Sequence, residues 1–384
     1  MQPEMPRPDA AEERWQVYGL LAAGILLALL VRLPLLTFVT SDYEHYTSDW
    51  YEIIRTQGGA QLLRSNVPNY TPLYLYGLIA VEWLLPNVQP VVAIKLVGLP
   101  FDFLLAAYVG AIVSLRYSQR WVVALAALAV LFAPTVVLNG AFWGQVDAIA
   151  ATGVVACVYY LLRGQHLAAM IAYGLALSFK LQPIFLAPAL VVLALRGRFD
   201  WRWAGLVPAI YLLTIVPAWL AGRPLAELAA VYVGQAGFYQ RLASNVANVF
   251  AWLPAGLYSH FYPAGLAWGV AVISALTWVA AQGRAKLTEG RMLQLALLSV
   301  LVMPYCLPKM HDRYFFFADV LSIAYAFHYP RRAWVAVAVT AVSFCSYSPY
   351  LFREVIVPFP LLAFVPGAVI LALLYEAART ETYT

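Results

Sequence analysis

The chain has 384 residues, of which 63% are hydrophobic and only 11% are charged, and its formal net charge at pH 7 is +5. A soluble globular protein has about 25% charged residues, so too few polar side chains remain here to cover a water-facing surface. Together with a mean hydropathy of +0.74, this composition excludes a soluble enzyme, a nucleic-acid-binding protein and a disordered chain.

Long apolar runs predict an all-α polytopic membrane protein, a bundle of about 12 (11 to 13) transmembrane helices. The runs are continuous, whereas an outer-membrane barrel would show alternating segments of roughly 10 residues. The first run is too long for a signal peptide, so we expect a true first span. We expect a single transmembrane domain over residues 1–384, with no soluble domain. The runs lie at residues 16–38, 91–115, 121–141, 146–163, 166–179, 182–196, 203–221, 261–281, 292–308, 314–329, 333–349 and 356–376.

Charge asymmetry predicts which ends of the runs face the cytoplasm. With the N-terminus inside, 14 of the 24 Lys and Arg residues lie on the inner side, nine lie on the outer side, and Arg32 lies within the first run. The positive-inside rule favours this orientation. Two long outer loops then follow, at residues 39–90 and 222–260. The short apolar stretch 72–86 contains Glu82, and we interpret it as a juxtamembrane or re-entrant helix with juxtamembrane neighbours in the first outer loop.

The first outer loop begins with an acidic pair, Asp42 and Glu44. In an extended segment alternate side chains point the same way, so we expect both carboxylates to face one point. Such a pair can act as a general base towards a hydroxyl group or bind a divalent cation through oxygen ligands. A solvated loop, or Asp42 as a helix N-cap, is the alternative. Asn69 and Tyr70 are further polar candidates in this loop.

Two polar segments interrupt the middle of the chain. Gln145 and Asp147 open an apolar run in which no simple loop needs them, although Asp147 also suits the dipole of a helix start. Lys180 and Gln182 lie where two unusually short runs meet, a pattern typical of broken helices around a binding site. Lys180 could bind a phosphate as a point charge or extend along the membrane interface to water.

The densest cluster is Lys309-Met310-His311-Asp312-Arg313. It offers three potential cations and one acid on the side of the membrane where the positive-inside rule disfavours basic residues. Arg is suited to bidentate recognition of phosphate, and a solvated turn is the alternative interpretation. Cations partly within the membrane suit a lipid-linked phosphate, aromatic rings suit sugar faces, and a carboxylate suits deprotonation of a hydroxyl.

These features favour a membrane glycosyltransferase whose donor is presented by the lipid bilayer. A transporter or flippase of a lipid-linked sugar would share the basic and aromatic outer cavity without needing Asp42. A non-catalytic scaffold subunit would tolerate loss of the whole cluster. The three classes therefore differ in whether Asp42 is required for product formation.

Five segments in this order resemble the GT-C superfamily of integral-membrane glycosyltransferases. They are the Asp42 loop, PNYTPLYLYGL at 68–78, FWGQVDA at 142–148, LSFKLQP at 177–183 and PKMHDRYFFFADV at 308–320. The likeness is greatest to bacterial mannosyltransferase-like proteins related to the GPI mannosyltransferases. The resemblance implies a GT-C-like bundle and inverting transfer of a hexose, mannose favoured, from a polyprenyl-phosphate-linked donor. The acceptor would be a hydroxyl of a lipid, glycolipid or polysaccharide at the outer face of a bacterial cytoplasmic membrane.

The resemblance also implies roles for individual residues. Asp42 would be the general base with Glu44 beside it, and Lys180, His311 and Arg313 would hold the donor phosphate. Some superfamily members bind a divalent cation in this loop, so the pair permits Mg or Mn without requiring it. His311-Asp312-Arg313 departs from an expected H-E-R pattern, which leaves the role of Asp312 open. The remaining residues assigned to the donor phosphate and sugar are Lys309, Asp147, Gln145, Gln182, Asn69 and Tyr70.

Overall fold

The computed structural model describes residues 10–68, 70–238 and 240–379, and most of this part of the chain is α-helical. The helices of the first half are α1 Ala10–Arg32, α2 Ser48–Gln57, α3 Gly59–Arg64, α4 Pro72–Leu84, α5 Pro90–Ser114, α6 Arg120–Leu131, α7 Pro134–Val137, α8 Asp147–Leu162 and α9 His166–Phe179. Those of the second half are α10 Ala187–Leu195, α11 Leu206–Leu220, α12 Leu225–Phe238, α13 Tyr258–Gln282, α14 Glu289–Cys306, α15 Phe316–His328, α16 Ala333–Leu351, α17 Phe359–Leu362 and α18 Phe364–Arg379.

Two π-helical segments, Tyr43–Thr47 and Leu138–Trp143, adjoin α2 and α7. Short 3₁₀ segments complete the helical structure, at Leu33–Leu35, Gln182–Leu186, Trp201–Gly205, Val249–Trp252, Ala255–Leu257 and Pro330–Arg332.

The structure confirms a multi-pass helical membrane protein, but it does not confirm a count of about 12 spans. Within the described residues, six helices are long and apolar enough to cross a membrane, or seven if one bent pair forms a single span. Each predicted apolar run nevertheless coincides with helix, and several of these helices have only 10 to 17 residues. The six long helices are Glu12–Leu35, Pro90–Ser114, Trp201–Leu220, Tyr258–Gln282, Pro330–Leu351 and Phe359–Arg379.

The bent pair replaces the single span expected at residues 121–141. Helix α6 and the segment Pro134–Trp143 meet at an angle of 50°. The residue before a proline is disfavoured in the α region, and Ala133 accordingly adopts a ψ of 125°. The break therefore follows from Pro134, and it turns the chain towards the π-helical segment that ends at Trp143.

The loop at residues 39–90 is helical over most of its length. The expectation of an extended stretch at Asp42–Glu44 is wrong, because helix begins at Ser41 and continues through the π-helical segment into α2. Residues two apart on a helix point to nearly opposite sides, so the two carboxylates do not share a direction. Helix α4 has 13 residues and is therefore about 20 Å long, which is shorter than a hydrocarbon core of about 30 Å. Its interpretation as a juxtamembrane or re-entrant helix stays a prediction.

Close helix packing in the core brings distant parts of the chain to one end of the bundle. Helix α8 packs against α5 and α9, and α15 packs against α14 and α16. At Gly153 a Cβ would lie 2.6 Å from Ala176 Cβ and 2.7 Å from the Ala172 carbonyl oxygen, so this glycine permits the close approach of α8 and α9. Because the two helices run antiparallel, the start of α8 lies beside the end of α9.

A two-residue parallel pairing connects the second long loop to the segment before α15. Strand β1 (Ala243–Ser244) pairs with β2 (Met310–His311), with Ala243 opposite Met310. The Lys309 amide also donates to the Leu242 carbonyl oxygen over 2.7 Å. The loop at 222–260 thereby holds the His311 segment in place at the same end of the bundle as the starts of α2 and α8.

Candidate active site

A cavity of about 460 Å³ opens at this end of the bundle. It is formed by the segment after α1, the turn between α7 and α8, the break between α9 and α10, and the connection between α14 and α15. Four segments far apart in sequence therefore meet around one space. The sequence-predicted residues that line it are Asp42, Tyr70, Gln145, Lys180, Gln182, Lys309, His311 and Arg313.

Three other predicted residues are placed differently. Glu44 is exposed and is not part of the cavity lining, so the structure does not bring it beside Asp42 as a second facing carboxylate. Asp147 is buried behind the lining and contacts residues that face the cavity. Asn69 lies outside the described residues.

Asp147 joins the two cations at the base of the cavity. Its Oδ1 accepts a hydrogen bond from Lys180 Nζ over 2.5 Å, and its Oδ2 lies 3.3 Å from an Arg313 guanidinium nitrogen. Asn139 Nδ2 donates to the same Oδ2 over 2.8 Å. This geometry arises because Asp147 begins α8, whereas Lys180 follows the end of the adjacent α9 in extended conformation. Asp147 therefore fixes the positions of Lys180 and Arg313 from the buried side of the cavity wall.

Asp42 faces the cavity with one carboxylate oxygen fixed. Trp143 Nε1 donates to Asp42 Oδ2 over 2.9 Å, and Gln145 Nε2 donates to the same atom over 2.5 Å. Gly144 between these donors has a φ of 83°, a conformation that favours glycine. The turn after α7 thus presents two side-chain donors, two residues apart, to one oxygen of Asp42.

Arg313 links the cation site to the Asp42 site. Its guanidinium donates to Gln145 Oε1 and stands 5.0 Å above the centre of the Trp143 ring. Burial opposes its charge, but Asp147, then Asp312 and Asp42, outweigh this and raise the pKa of Arg313 above its ordinary value. A permanent positive charge therefore faces the cavity beside Asp42.

The neighbouring His311 and Asp312 differ from the charges that their residue types suggest. Burial, and next the charge of Arg313, lower the pKa of His311 from 6.5 to about 4, so it is neutral at pH 7. Of the three potential cations in this segment, His311 therefore does not add a positive charge at pH 7. Burial raises the pKa of Asp312 from 3.8 to about 7, against the opposing effect of Arg313 at 3.5 Å.

Lys309 lies at the aromatic rim of the cavity. Its ammonium group stands 5.4 Å and 5.1 Å from the ring centres of Tyr258 and Tyr262, which stack on each other. Its backbone φ is 65°, a conformation that a non-glycine residue adopts at a cost and that occurs often at functional sites. On the other wall, Lys180 Nζ lies 5.6 Å from the Tyr70 ring centre.

Sequence reasoning missed two residues that organise the site. Lys95 lies in α5 and donates to the carbonyl oxygens of Leu35, Phe38 and Phe142 over 2.7 to 2.9 Å. The available signal is that Lys95 is an ionisable residue within the apolar run at 91–115. Trp143 is the second residue, and nothing in the sequence places its N–H near Asp42, 101 positions away.

The spacing of the aromatic residues after Asp42 also indicates a helix. Tyr43, Tyr46 and Trp50 all line the cavity. Their spacing of three and four residues is helical, and it argued against the extended segment that would have paired Asp42 with Glu44.

The residues present do not form a multidentate cation site around Asp42. Among the described residues no group of three or more His, Cys, Asp or Glu side chains could hold a metal ion. Glu44, the sequence-predicted second carboxylate, is exposed away from the cavity lining.

Comparisons with known proteins identify the fold. No family model matches the chain, and no curated protein matches it. The crystal structure of ArnT from Cupriavidus metallidurans bound to undecaprenyl phosphate aligns with a TM-score of 0.57 and 17% identity, over 96% of this chain and 77% of that chain. The same protein in the apo state aligns with a TM-score of 0.48 and 19% identity, over 96% and 78% of the two chains. The chain thus shares the overall fold of ArnT from Cupriavidus metallidurans.

Proposed function

We propose that this chain is an inverting glycosyltransferase that moves a hexose, mannose favoured, from a polyprenyl-phosphate-linked donor to a hydroxyl group. One observation carries the proposal: the Asp42 carboxylate and the cations Lys180 and Arg313 line the same cavity. A glycosyl transfer with a phosphate leaving group needs a base at the acceptor hydroxyl and positive charge at the departing phosphate. These two requirements correspond to the two halves of the site.

Asp42 acts as the general base in this proposal. The acceptor hydroxyl gives its proton to the carboxylate while its oxygen attacks the anomeric carbon from the face opposite the phosphate. The bond between that carbon and the phosphate oxygen breaks, and its electron pair leaves on the phosphate. The products are the inverted glycoside, the polyprenyl phosphate and a protonated Asp42. General base catalysis of this kind contributes about 10²- to 10⁴-fold.

Lys180 and Arg313 stabilise the departing phosphate. Lys180 and Arg313 carry two positive charges, and Asp147 carries one negative charge. The three buried side chains therefore have a net charge of +1. An anion that enters the cavity compensates this charge, and the compensation increases as the phosphate accepts the electron pair. Because the charges are fixed before the reaction, they need no reorganisation during it.

The lining beyond the cations suits a lipid-linked donor. Ile184, Phe185, Leu266, Met303 and Leu307 contribute an apolar surface next to Lys180 and Lys309. ArnT, whose fold this chain shares, has been crystallised with undecaprenyl phosphate. The choice of mannose, of a lipid, glycolipid or polysaccharide acceptor, and of the outer face of a bacterial cytoplasmic membrane follows from the sequence resemblance described above. Tyr70, Gln182 and Lys309, which line the cavity, are proposed as further contacts of the substrates.

Transfer by purified protein in nanodiscs tests the proposal. Wild type and Asp42→Asn are given a panel of polyprenyl-phosphate sugars and a membrane lipid extract as acceptor, with and without EDTA, and the release of polyprenyl phosphate is followed by mass spectrometry. We expect release by wild type, with mannose as the best donor, and a loss of at least about 100-fold in Asp42→Asn. Donor binding without release in the presence of acceptor extract would instead support a transporter of lipid-linked sugars.

A further inference from the structure

Two groups of contacts converge on a single atom, Asp42 Oδ2. One runs from Arg313 through Gln145: the guanidinium donates to Gln145 Oε1, and Gln145 Nε2 donates to Asp42. The other runs from Arg313 through Trp143: the guanidinium stands on the indole ring, and the indole N–H donates to Asp42. The cation that faces the donor phosphate is thereby connected to the carboxylate that faces the acceptor.

The Trp143 side chain is buried and packs against two tyrosine rings. Its ring stacks on Tyr350, with centres 4.4 Å apart and planes 16° apart, and it meets Tyr347 edge-on at 5.4 Å. The residue is only 2% exposed. A buried indole usually finds a partner for its N–H, and in this chain that partner is the Asp42 carboxylate.

The backbone of Trp143 also binds the segment that contains Asp42. Thr40 Oγ1 donates to the Trp143 carbonyl oxygen over 3.0 Å. Two residues of one short segment, Thr40 and Asp42, are therefore bound by one residue of another. Lys95 reinforces this contact, because its ammonium group binds Phe38 and Phe142, which precede Thr40 and Trp143.

We infer that Trp143 is a positioning residue for the transfer reaction: it orients Asp42 towards the acceptor and connects it to the donor cation Arg313. The inference rests on the proposed function, because it gives Asp42 the role of base. Because Oδ2 accepts hydrogen bonds from two donors, the rotation of the carboxylate is restricted, and in this proposal Oδ1 receives the acceptor proton. A base that is displaced by about 1 Å loses about 100-fold in rate.

Replacement by phenylalanine isolates this role. Trp143→Phe keeps an aromatic ring for Tyr350 and Arg313 but removes the N–H that binds Asp42. The matched control is Trp252→Phe, because Trp252 also donates its indole N–H, to the Pro360 carbonyl oxygen over 2.7 Å, and it is not part of the cavity lining. Both changes remove one indole hydrogen bond, but only the first affects Asp42.

The readout separates catalysis from donor binding. We expect kcat of Trp143→Phe to fall about 10- to 100-fold, since a hydrogen bond to a charged group is lost. The Kd for undecaprenyl phosphate, measured by fluorescence-detected binding in nanodiscs, should stay within about two-fold of wild type because Lys180 and Arg313 are intact. Trp252→Phe should leave both quantities unchanged.

Three outcomes would overturn the inference. Equal changes in Trp143→Phe and Trp252→Phe would mean that the loss is not specific to Asp42. A fall in donor affinity as large as the fall in kcat would mean that the ring serves Arg313 rather than the base. An unchanged kcat in Trp143→Phe would mean that Asp42 needs no such support. Wild-type protein without any transfer would instead contradict the proposed function itself, so the two failures are distinguishable.

Discussion

Burial decides which charges the side chains of the cavity carry. Asp147 is 5% exposed, and it remains a carboxylate partner because Lys180 and Arg313 contact its two oxygens. His311 and Asp312, next to each other in sequence, are both driven towards their neutral forms by burial. The site therefore combines a fixed triad of charges with two groups whose protonation depends on pH.

Removal of the central carboxylate should destabilise the protein. Asp147→Asn leaves Lys180 and Arg313 buried without their shared counter-charge, and breaking such a group costs about 3 kcal/mol or more. We expect the free energy of unfolding, measured by denaturant titration in detergent, to fall by that amount. Asp49→Asn is the control, because Asp49 is exposed on α2. A similar small effect of both changes would show that Asp147 does not hold the two cations together.

His311 and Asp312 should contribute to the pH dependence of the free energy of unfolding with opposite signs. The pKa of Asp312 is raised from 3.8 to about 7, so its contribution to stability is full below pH 4 and is lost as pH rises towards 7. The pKa of His311 is lowered from 6.5 to about 4, so its contribution is present above pH 6.5 and is lost as pH falls towards 4.

Unfolding free energies of Asp312→Asn and His311→Gln between pH 4 and pH 7 measure these contributions. We expect the advantage of wild type over Asp312→Asn to decrease as pH rises, and its advantage over His311→Gln to increase. The surrounding charges act in both cases: Arg313 and Asp42 on both residues, Arg241 and Lys309 on His311, and Asp147 on Asp312. Parallel curves for wild type and both variants would contradict the assignment.

At the scale of elements, the site depends on irregular helix ends more than on regular helix. The described chain has two π-helical segments. Tyr43–Thr47 begins just after Asp42, and Leu138–Trp143 ends at Trp143. π-helical turns are rare and occur frequently at functional sites. Lys180 likewise follows the last residue of α9, and the 3₁₀ segment Gln182–Leu186 begins two residues later. Asp42, Gln145 and Lys180 thus lie where a helix changes form or ends.

Gly144 should be required at the turn between Trp143 and Gln145. Its φ is 83°, and a Cβ there would lie 3.3 Å from two carbons of the Lys95 side chain. Gly144→Ala therefore combines backbone strain of about 1 to 2 kcal/mol with displacement of Lys95. We expect a loss of thermal stability and a loss of transfer activity larger than 10-fold, since Lys95 and both donors to Asp42 are disturbed.

Gly164→Ala provides the control for that change. Gly164 has a similar φ of 69°, but a Cβ there would meet nothing within 4 Å. It should lose stability from backbone strain and keep its transfer rate. If both variants kept full activity, the turn at Gly144 would not be what positions Trp143 and Gln145.

At the scale of the whole molecule, apolar helices bring polar helix ends together. The buried pair Arg32–Asp102 connects α1 and α5 over 2.9 Å, and Arg32 also donates to the Leu131 carbonyl oxygen at the end of α6. Isolated charges in the membrane interior are costly, so this pair specifies how three helices meet. The same arrangement places the segment after α1 next to the turn that ends at Trp143.

The cavity should open towards the outside of the cell. Two single-cysteine variants in a background without native cysteines test this. Glu44→Cys lies at the cavity end of the bundle, and Arg284→Cys lies in the connection between α13 and α14. Both native side chains are exposed. We expect a membrane-impermeant maleimide to label position 44 in intact cells and position 284 only after permeabilisation. The reverse pattern would place the site in the cytoplasm and contradict the predicted orientation.

The sequence alone predicts a helical membrane protein and the helices that coincide with its apolar runs. Continuous apolar runs are a local property, and in lipid every backbone group of such a run must be satisfied within the helix. The polar interruptions at Asp42, Gln145, Lys180 and Arg313 were also visible, because charged and amide side chains are costly at the membrane and stand out against their neighbours.

The contacts among these residues arise from tertiary packing and are not visible in the sequence. Glu44 was grouped with Asp42 by proximity in sequence, but the helical conformation of that segment separates them, whereas Trp143 reaches Asp42 from 101 positions away. Asp147 was expected to contact the donor, and it lies instead behind Lys180 and Arg313. Charge states and partners depend on burial and on contacts between distant segments. Neither is encoded in the local pattern from which spans and candidate residues are predicted.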